Sequence, residues 1–326
     1  QKDGERRSNA RGFLRPAEGR KNLTVITGAQ ATRVLFEGKR AVGVRYCCDG
    51  LYKDIQARRE VILSGGAINS PQLLLLSGVG PADELRKHGI QQLHELPGVG
   101  KNLQDHLDII VSAREKTHFS VSLNPMSLWT SIKAFFQYLF GRRGMLTSNV
   151  AESGGFIKTR PEEPVPDLQI HFVPLAYSDH AQNLMPLFGY AYTIMLCNLR
   201  PRSVGEITLE RADPLAPPRI QANYLADEDD MRRMVIAVKK GREILAQPAF
   251  APHRGEEFEP GPAVQTDEQI AAWIRTRAET VYHPVGTCKM GVDEMAVVDP
   301  QLKVRGLQGL RVIDASIMPT LIGGNT

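Results

Sequence analysis

The chain has 326 residues, 42% hydrophobic and 23% charged, with a formal net charge of +4, which suits one large core or two coupled ones in a globular protein. That charge is small and spread along the sequence, so no clustered basic patch argues for nucleic acid. Four cysteines, Cys47, Cys48, Cys197 and Cys288, show no C-x-x-C spacing, which argues against a disulfide framework or a zinc site and fits a reducing, cytoplasmic compartment.

The chain opens on Gln1 in a polar stretch and stops at "PTLIGGNT", where a turn should lead into another element. Both ends read as cut, so a piece of a longer protein is expected. No signal peptide is recognisable. Between residues 22 and 64 the runs "NLTVIT", "ATRVLF", "AVGVRY" and "YKDIQA" predict short strands, with Gly28, Gly38 and Gly50 among the turn residues. "EVILSGG" predicts a buried strand ending in two glycines. In "NSPQLLLLSG", Ser70 reads as an N-cap, Pro71 as the first helical residue and Gly78 as the residue past the end. "GPADELRKHG" repeats that pattern in a second short helix.

From about residue 106 the texture changes. "LWTSIKAFFQYLF" places Leu128, Ile132, Phe135, Phe136 and Leu139 on one helical face. The favoured reading is a buried helix that roofs the active site. Arg142 and Arg143 just beyond it keep peripheral membrane association open. "LQIHFVPLAY", "YAYTIMLCNL" and "GEITLE" predict strands, in which Met195, Tyr192 and Phe172 serve equally well as pocket lining or as core. Glu152 is expected in a solvated loop. "DEDDMRRMVIAVKKGREIL" predicts the longest helix, with Met231, Met234, Val235, Val238 and Leu245 as its buried stripe. "RGEEFEPGP" reads as an acidic surface loop, and "GLRVIDAS" as a strand ending at Asp314. No run approaches the roughly 18 apolar residues of a spanning helix. An α/β segment, a mixed middle and a return to α/β suit one domain interrupted by another.

Chemistry concentrates in "VYHPVGTCKMG", residues 281–291. Pro284 restricts His283 towards an extended conformation and so aims its side chain. By itself the segment leaves several roles open for His283: general base, metal ligand, partner of Cys288, or a polar residue in a turn. A metal site would need convergent ligands that the other seven histidines do not supply at ligand spacing, and the Cys/His pair lacks any neighbouring signature.

"GAINSPQLLLLSGVG", residues 66–80, resembles the second signature of the glucose–methanol–choline (GMC) oxidoreductases. "NLTVITGAQATRVLF", "LPGVGKNLQDHL", "VYHPVGTCKMG" and "LRVIDASIMPTLIGGNT" are similar to further blocks of that family, in family order. The choline dehydrogenase and alcohol dehydrogenase branch is the nearer likeness, through "HPVGTCKMG" and "DASIMPTL". The resemblance implies an α/β fold with an α+β insertion. On it, residues 1–105 and 273–326 form a partial, Rossmann-like FAD-binding domain that lacks the G-x-G-x-x-G unit. Residues 106–272 form an antiparallel-sheet substrate domain with helices.

It also implies FAD in the full-length parent and a small-molecule alcohol as substrate. The electron acceptor stays open, with a quinone among the options. His283 becomes the catalytic base that takes the hydroxyl proton as hydride leaves for the flavin, and Asn325 the hydrogen-bond donor to the alcohol oxygen. Asp314 and Ala315 correspond to a pair contacting the flavin's phosphate–ribityl region, and Ala31 to a backbone amide near the adenine. His106, in "NLQDHL", is expected in a structural hydrogen bond. The rival expectation is that this chain by itself is a non-catalytic folded fragment that does not retain FAD.

Overall fold

Glycine-punctuated runs of β-formers build the first sheet: β1 (Ala29–Glu37), β2 (Arg40–Cys48) and β3 (Leu51–Gln56) pair antiparallel in that order. Cys48 faces Leu51 across the two-residue turn Asp49-Gly50, and both turn residues have positive φ, 52° and 75°. This is the twist-matched hairpin turn that an Asp-Gly pair favours. The computed structural model describes residues 2–177 and 185–326. "NLTVIT" is not a strand: residues 23–27 run as coil, with Val25 and Ile26 about half exposed. Apolar alternation alone does not make a strand where no neighbour pairs with it.

The remaining elements follow in chain order: β4 (Val61–Leu63), α1 (Gly66–Leu76), β5 (Val79–Gly80), α2 (Ala82–Lys87), β6 (His94–Glu95), β7 (Leu107–Glu115) and α3 (Leu128–Gly141). Then come β8 (Ser153–Ile157), β9 (Leu168–Val173), β10 (Ala191–Asn198), β11 (Glu206–Thr208), β12 (Arg219–Gln221) and α4 (Glu228–Leu245). The last are β13 (Arg254–Glu259), α5 (Asp267–Arg277), β14 (Glu279–Thr280) and β15 (Leu310–Val312).

Contacts divide the chain into two interleaved units. One comprises residues 27–107, 198–232 and 280–326, and the other residues 1–26, 108–197 and 233–279. In the first, β15 lies parallel to β4, with Leu310 opposite Val61. Its core gathers Leu74, Leu75, Val79 and Leu85 with Cys288, Val298 and Val312.

Helix α1 begins earlier than its sequence suggests. Gly65 is its N-cap, and Pro71 lies inside the helix. Proline cannot donate to the carbonyl four residues back, which is that of Ala67. The buried Thr287 hydroxyl donates to that oxygen instead, at 2.6 Å. Ser70, freed from capping, accepts from Gly65 N and donates to Asp314.

In the second unit a sheet of order β13-β7-β10-β9-β8 forms the scaffold, with β14 also paired to β7. The stretch "RGEEFE" is therefore strand β13 rather than a loop, paired antiparallel with β7 through an irregular register. An edge strand can turn acidic side chains to solvent, which is why its composition reads as loop. Tyr192, Phe172 and Phe250 pack together with ring centroids 5.6–5.9 Å apart, so Tyr192 is a core residue, with Phe172 half buried against it.

Helix α4 buries Met234, Val235, Val238 and Leu245, with Met231 half buried. Gly241 on the same helix allows its close approach to the sheet, because a Cβ there would lie 2.8 Å from a Leu196 methyl. Arg233 ties α4 to the buried Asp167 and to Glu163. Helix α3 departs from expectation: its only buried residue is Ala134, and the Leu128–Phe140 face is turned outward.

Candidate active site

The segment 102–106 meets 281–285 as a short antiparallel bridge. Gln104 and Val285 exchange both backbone hydrogen bonds, at 3.1 and 2.9 Å. Two residues further on one strand and two back on the other are His106 and His283, which that register sets opposite each other. Their Nδ1 atoms are 3.0 Å apart and their rings meet edge to face.

Asp105 fixes the approach to this pair. Its Oδ1 accepts from the His283 backbone N–H at 2.9 Å, and its Oδ2 accepts from the hydroxyls of Tyr224 and Thr280, each at 2.5 Å. Tyr282, just before His283, takes a left-handed backbone at φ 62° and donates its N–H to the Thr280 hydroxyl at 2.9 Å. A bulky residue there is a backbone outlier that the surroundings must enforce.

His106 is fully buried and its Nε2 has no hydrogen-bond partner among the described residues. Burial pulls its pKa down to about 4, reinforced by the neighbouring His283 and partly offset by the carbonyls of Leu199 and Ile322 and by Asp105. His283 is half-buried; its pKa is lowered by burial and partly restored by the Asp105 carboxylate. Both imidazoles are therefore neutral near pH 7, so one Nδ1 donates and the other accepts. A half-exposed, neutral imidazole with a depressed pKa can accept a proton from a bound hydroxyl.

Cys288 is fully buried among core residues, and burial pushes its thiol well above the usual range, so it is no nucleophile. Among the described residues no group of three His, Cys, Asp or Glu side chains is arranged to hold a metal ion. Asn325 lies exposed in the C-terminal coil and makes no hydrogen bond among the described residues.

A separate cleft of about 320 Å³ opens in the same unit where β4 runs into α1. Ala31, Gln30, Ser64, Gly65 and Asn69 line it, over a floor that includes Ile62 and Leu73. Gly65 keeps the turn open: a Cβ there would stand 3.1 Å from the Asn69 Cβ. Asp314 binds this turn from β15. Its Oδ2 accepts from Gly66 N at 2.9 Å and from the Ser70 hydroxyl at 2.5 Å, and its Oδ1 accepts from Ser316 N at 2.8 Å. Ala315 follows, half buried, in the single turn that Asp314 caps.

The structure thus brings His283 together with His106, and Ala31 to the cleft whose turn Asp314 holds. Sequence reasoning missed Asp105, Tyr224 and Thr280. The aspartate directly before His106 in "NLQDHL" was the available signal; nothing local marks Tyr224 or Thr280.

The GMC oxidoreductase family is matched in two parts, its N-terminal profile over residues 1–108 and its C-terminal profile over 201–326. An alcohol dehydrogenase [acceptor] of Pseudomonas putida is 50% identical over 328 aligned residues, covering 100% of this chain and 59% of the relative. An oxygen-dependent choline dehydrogenase of Pectobacterium carotovorum is 47% identical, covering 99% and 57%.

Among solved structures, pyridoxine 4-oxidase from Mesorbium loti aligns with TM-score 0.85 and 27% identity over 100% of this chain and 59% of its own. A formate oxidase of Aspergillus oryzae, studied for its FAD modification, aligns with TM-score 0.87 and 26% identity, covering 94% and 59%. The chain spans about three-fifths of the length of these relatives. With both profiles matched and half of all aligned positions identical to one relative, the chain belongs to the GMC oxidoreductase family.

Proposed function

We propose that the protein oxidises the CH–OH group of an alcohol to an aldehyde with FAD as its redox group, and that His283 is the general base. The observation that carries this reading is the 3.0 Å contact between the Nδ1 atoms of His106 and His283, because it engages Nδ1 of His283 and leaves its Nε2 for reaction. We place the His106 proton on its sealed Nε2, the only other site on that ring for one. His106 then accepts at Nδ1, and His283 donates from Nδ1. The Nε2 of His283 keeps its lone pair and takes the hydroxyl proton. The Asp105 carboxylate favours the imidazolium that results. Asn325 is the side chain assigned to donate to the alcohol oxygen.

The cleft at the β4–α1 turn fits part of a dinucleotide. It is mostly apolar, carries the amides of Gln30 and Asn69 and the Ser64 hydroxyl, and is held open by a glycine. Ala31, Asp314 and Ala315 would hold the cofactor there, Asp314 indirectly, since its carboxylate oxygens are already engaged by the turn. When bound, the flavin supplies the hydride acceptor.

The test is anaerobic reduction of the full-length flavoprotein by primary alcohols, followed at the flavin absorption band. Wild type should bleach, and His283→Ala should lose at least about 100-fold in rate, the low end for removing a general base. Bleaching at the wild-type rate in His283→Ala would sink the assignment. A second reading, that these 326 residues fold without retaining FAD, is favoured by the three-fifths coverage of the relatives. A visible spectrum of this chain mixed with FAD separates it from the first: a colourless protein after desalting supports the fragment reading and leaves the full-length prediction standing.

A further inference from the structure

Helix α3 is amphipathic in the wrong sense for a water-facing surface. With 100° per residue, Leu128, Ile132, Phe135, Phe136, Leu139, Trp129 and Phe140 occupy one continuous arc. Each is at least 37% exposed, and Trp129 and Phe140 reach 76% and 81%. The helix rests on its own unit through Ala134, with Tyr138 half buried beside it. Seven outward apolar side chains on one helix go well beyond the scattered single exposures of ordinary surfaces.

The charges on this stretch of chain have one sign. Between Glu115 and Glu152 the sequence contains no acidic residue, while Lys116, Lys133, Arg142 and Arg143 lie in that interval. The C-terminal end of the helix also meets the basic N-terminal segment. Glu5 pairs with Arg142 at 3.4 Å, and residues 1–26 carry seven Lys or Arg against three Asp or Glu. At about 21 Å, fourteen residues are too short to span a bilayer, and no described helix is long and apolar enough to cross one. An apolar face with Trp and Phe, bordered by Lys and Arg, is the pattern of a helix lying in the plane of a lipid surface. A second copy of the chain would bring the same cationic border against itself.

We propose that α3 docks the protein on an anionic phospholipid bilayer, the Leu128–Phe140 face entering the acyl boundary while Lys133, Arg142 and Arg143 meet the headgroups. Trp129 is a built-in reporter, because it lies on the outward face, and the difference between the emission of the protein and that of its Trp129→Phe variant isolates its signal. The holoenzyme would be mixed with vesicles of phosphatidylglycerol and phosphatidylcholine, or of phosphatidylcholine alone, then sedimented.

The expected result has three parts. Binding rises with phosphatidylglycerol content and weakens in about 0.5 M salt. Trp129 emission shifts to the blue on binding. Phe136→Glu with Phe140→Glu lowers the partition coefficient about tenfold or more, while melting temperature and flavin content stay at wild-type values because both side chains are exposed. Three results would overturn the proposal: no binding to anionic vesicles, binding unchanged in the double variant, or Trp129 emission already blue-shifted without lipid. In the last case light scattering tells a dimer from a face covered by the protein's own chain.

Discussion

At the scale of single residues, the burial of His106 beside His283 makes the stability of this protein depend on pH in a definite direction. The folded pKa of His106 is depressed from 6.5 to about 4, so the unfolded chain binds the proton more readily. Its stabilising contribution is present above pH 6.5 and is lost as pH falls towards about 4, by at most roughly 3 kcal/mol. Thermal melts between pH 4 and 7 should show that loss, and His106→Gln should flatten it. Asp108 behaves oppositely. It is buried, its Oδ2 has no hydrogen-bond partner among the described residues, and desolvation reinforced by Glu279 raises its pKa to about 8. Stability tied to its neutral form is full below about pH 4 and declines as pH rises through 8. Asp108→Asn should therefore melt higher than wild type at pH 8, and the two should converge near pH 4. On the proposed mechanism, the depressed pKa of His283 should place the acidic limb of the kcat/KM profile below pH 6.5, the ordinary histidine value.

At the scale of elements, what could be read in the sequence was whatever local chemistry decides. The turn at Gly50, the two glycines closing β4 and the buried stripe of α4 are set by backbone sterics and periodicity, and they stand as expected. Helix α5 was legible too but overlooked: Thr266 and Gln269 form a reciprocal capping box, the T-x-x-Q pattern at its start. Thr266→Ala should cost about 1 kcal/mol in chemical denaturation.

What escaped was decided at long range. Pro71 signals a helix start, yet a hydroxyl 216 residues away lets α1 begin five residues earlier. Thr287→Val should destabilise by about 1–3 kcal/mol by orphaning the buried Ala67 carbonyl, whereas Thr287→Ser should restore most of that loss. "NLTVIT" failed for want of a partner strand and "RGEEFE" became a strand because it found one. The outward face of α3 has the same periodicity as an inward one, so no pattern of residues distinguishes them. In the candidate site, His283 and Ala31 came from family likeness, while Tyr224 and Thr280 reach Asp105 across 119 and 175 residues, beyond any local signal.

At the scale of the whole molecule, each compact unit is assembled from three separate stretches of chain. Removing residues 280–326 takes Cys288, Val297, Val298, Val304, Leu310 and Val312 out of one core, along with the hydroxyl that serves Ala67. Hydrogen exchange on such a truncation should show residues 27–107 unprotected, with protection surviving in β9 and β10. Equal loss in both would mean that the units do not fold independently. The pairing of β4 with β15 also sets a timetable for biosynthesis. Ser64 and its partner Ile313 are 249 residues apart, and at about 5–20 residues per second a ribosome needs roughly 10–50 s to travel between them. Throughout that interval the nascent β4 and α1 present apolar surface whose covering strand does not yet exist. Slowing translation near residue 300 lengthens that exposure and should lower soluble yield even though no amino acid has changed.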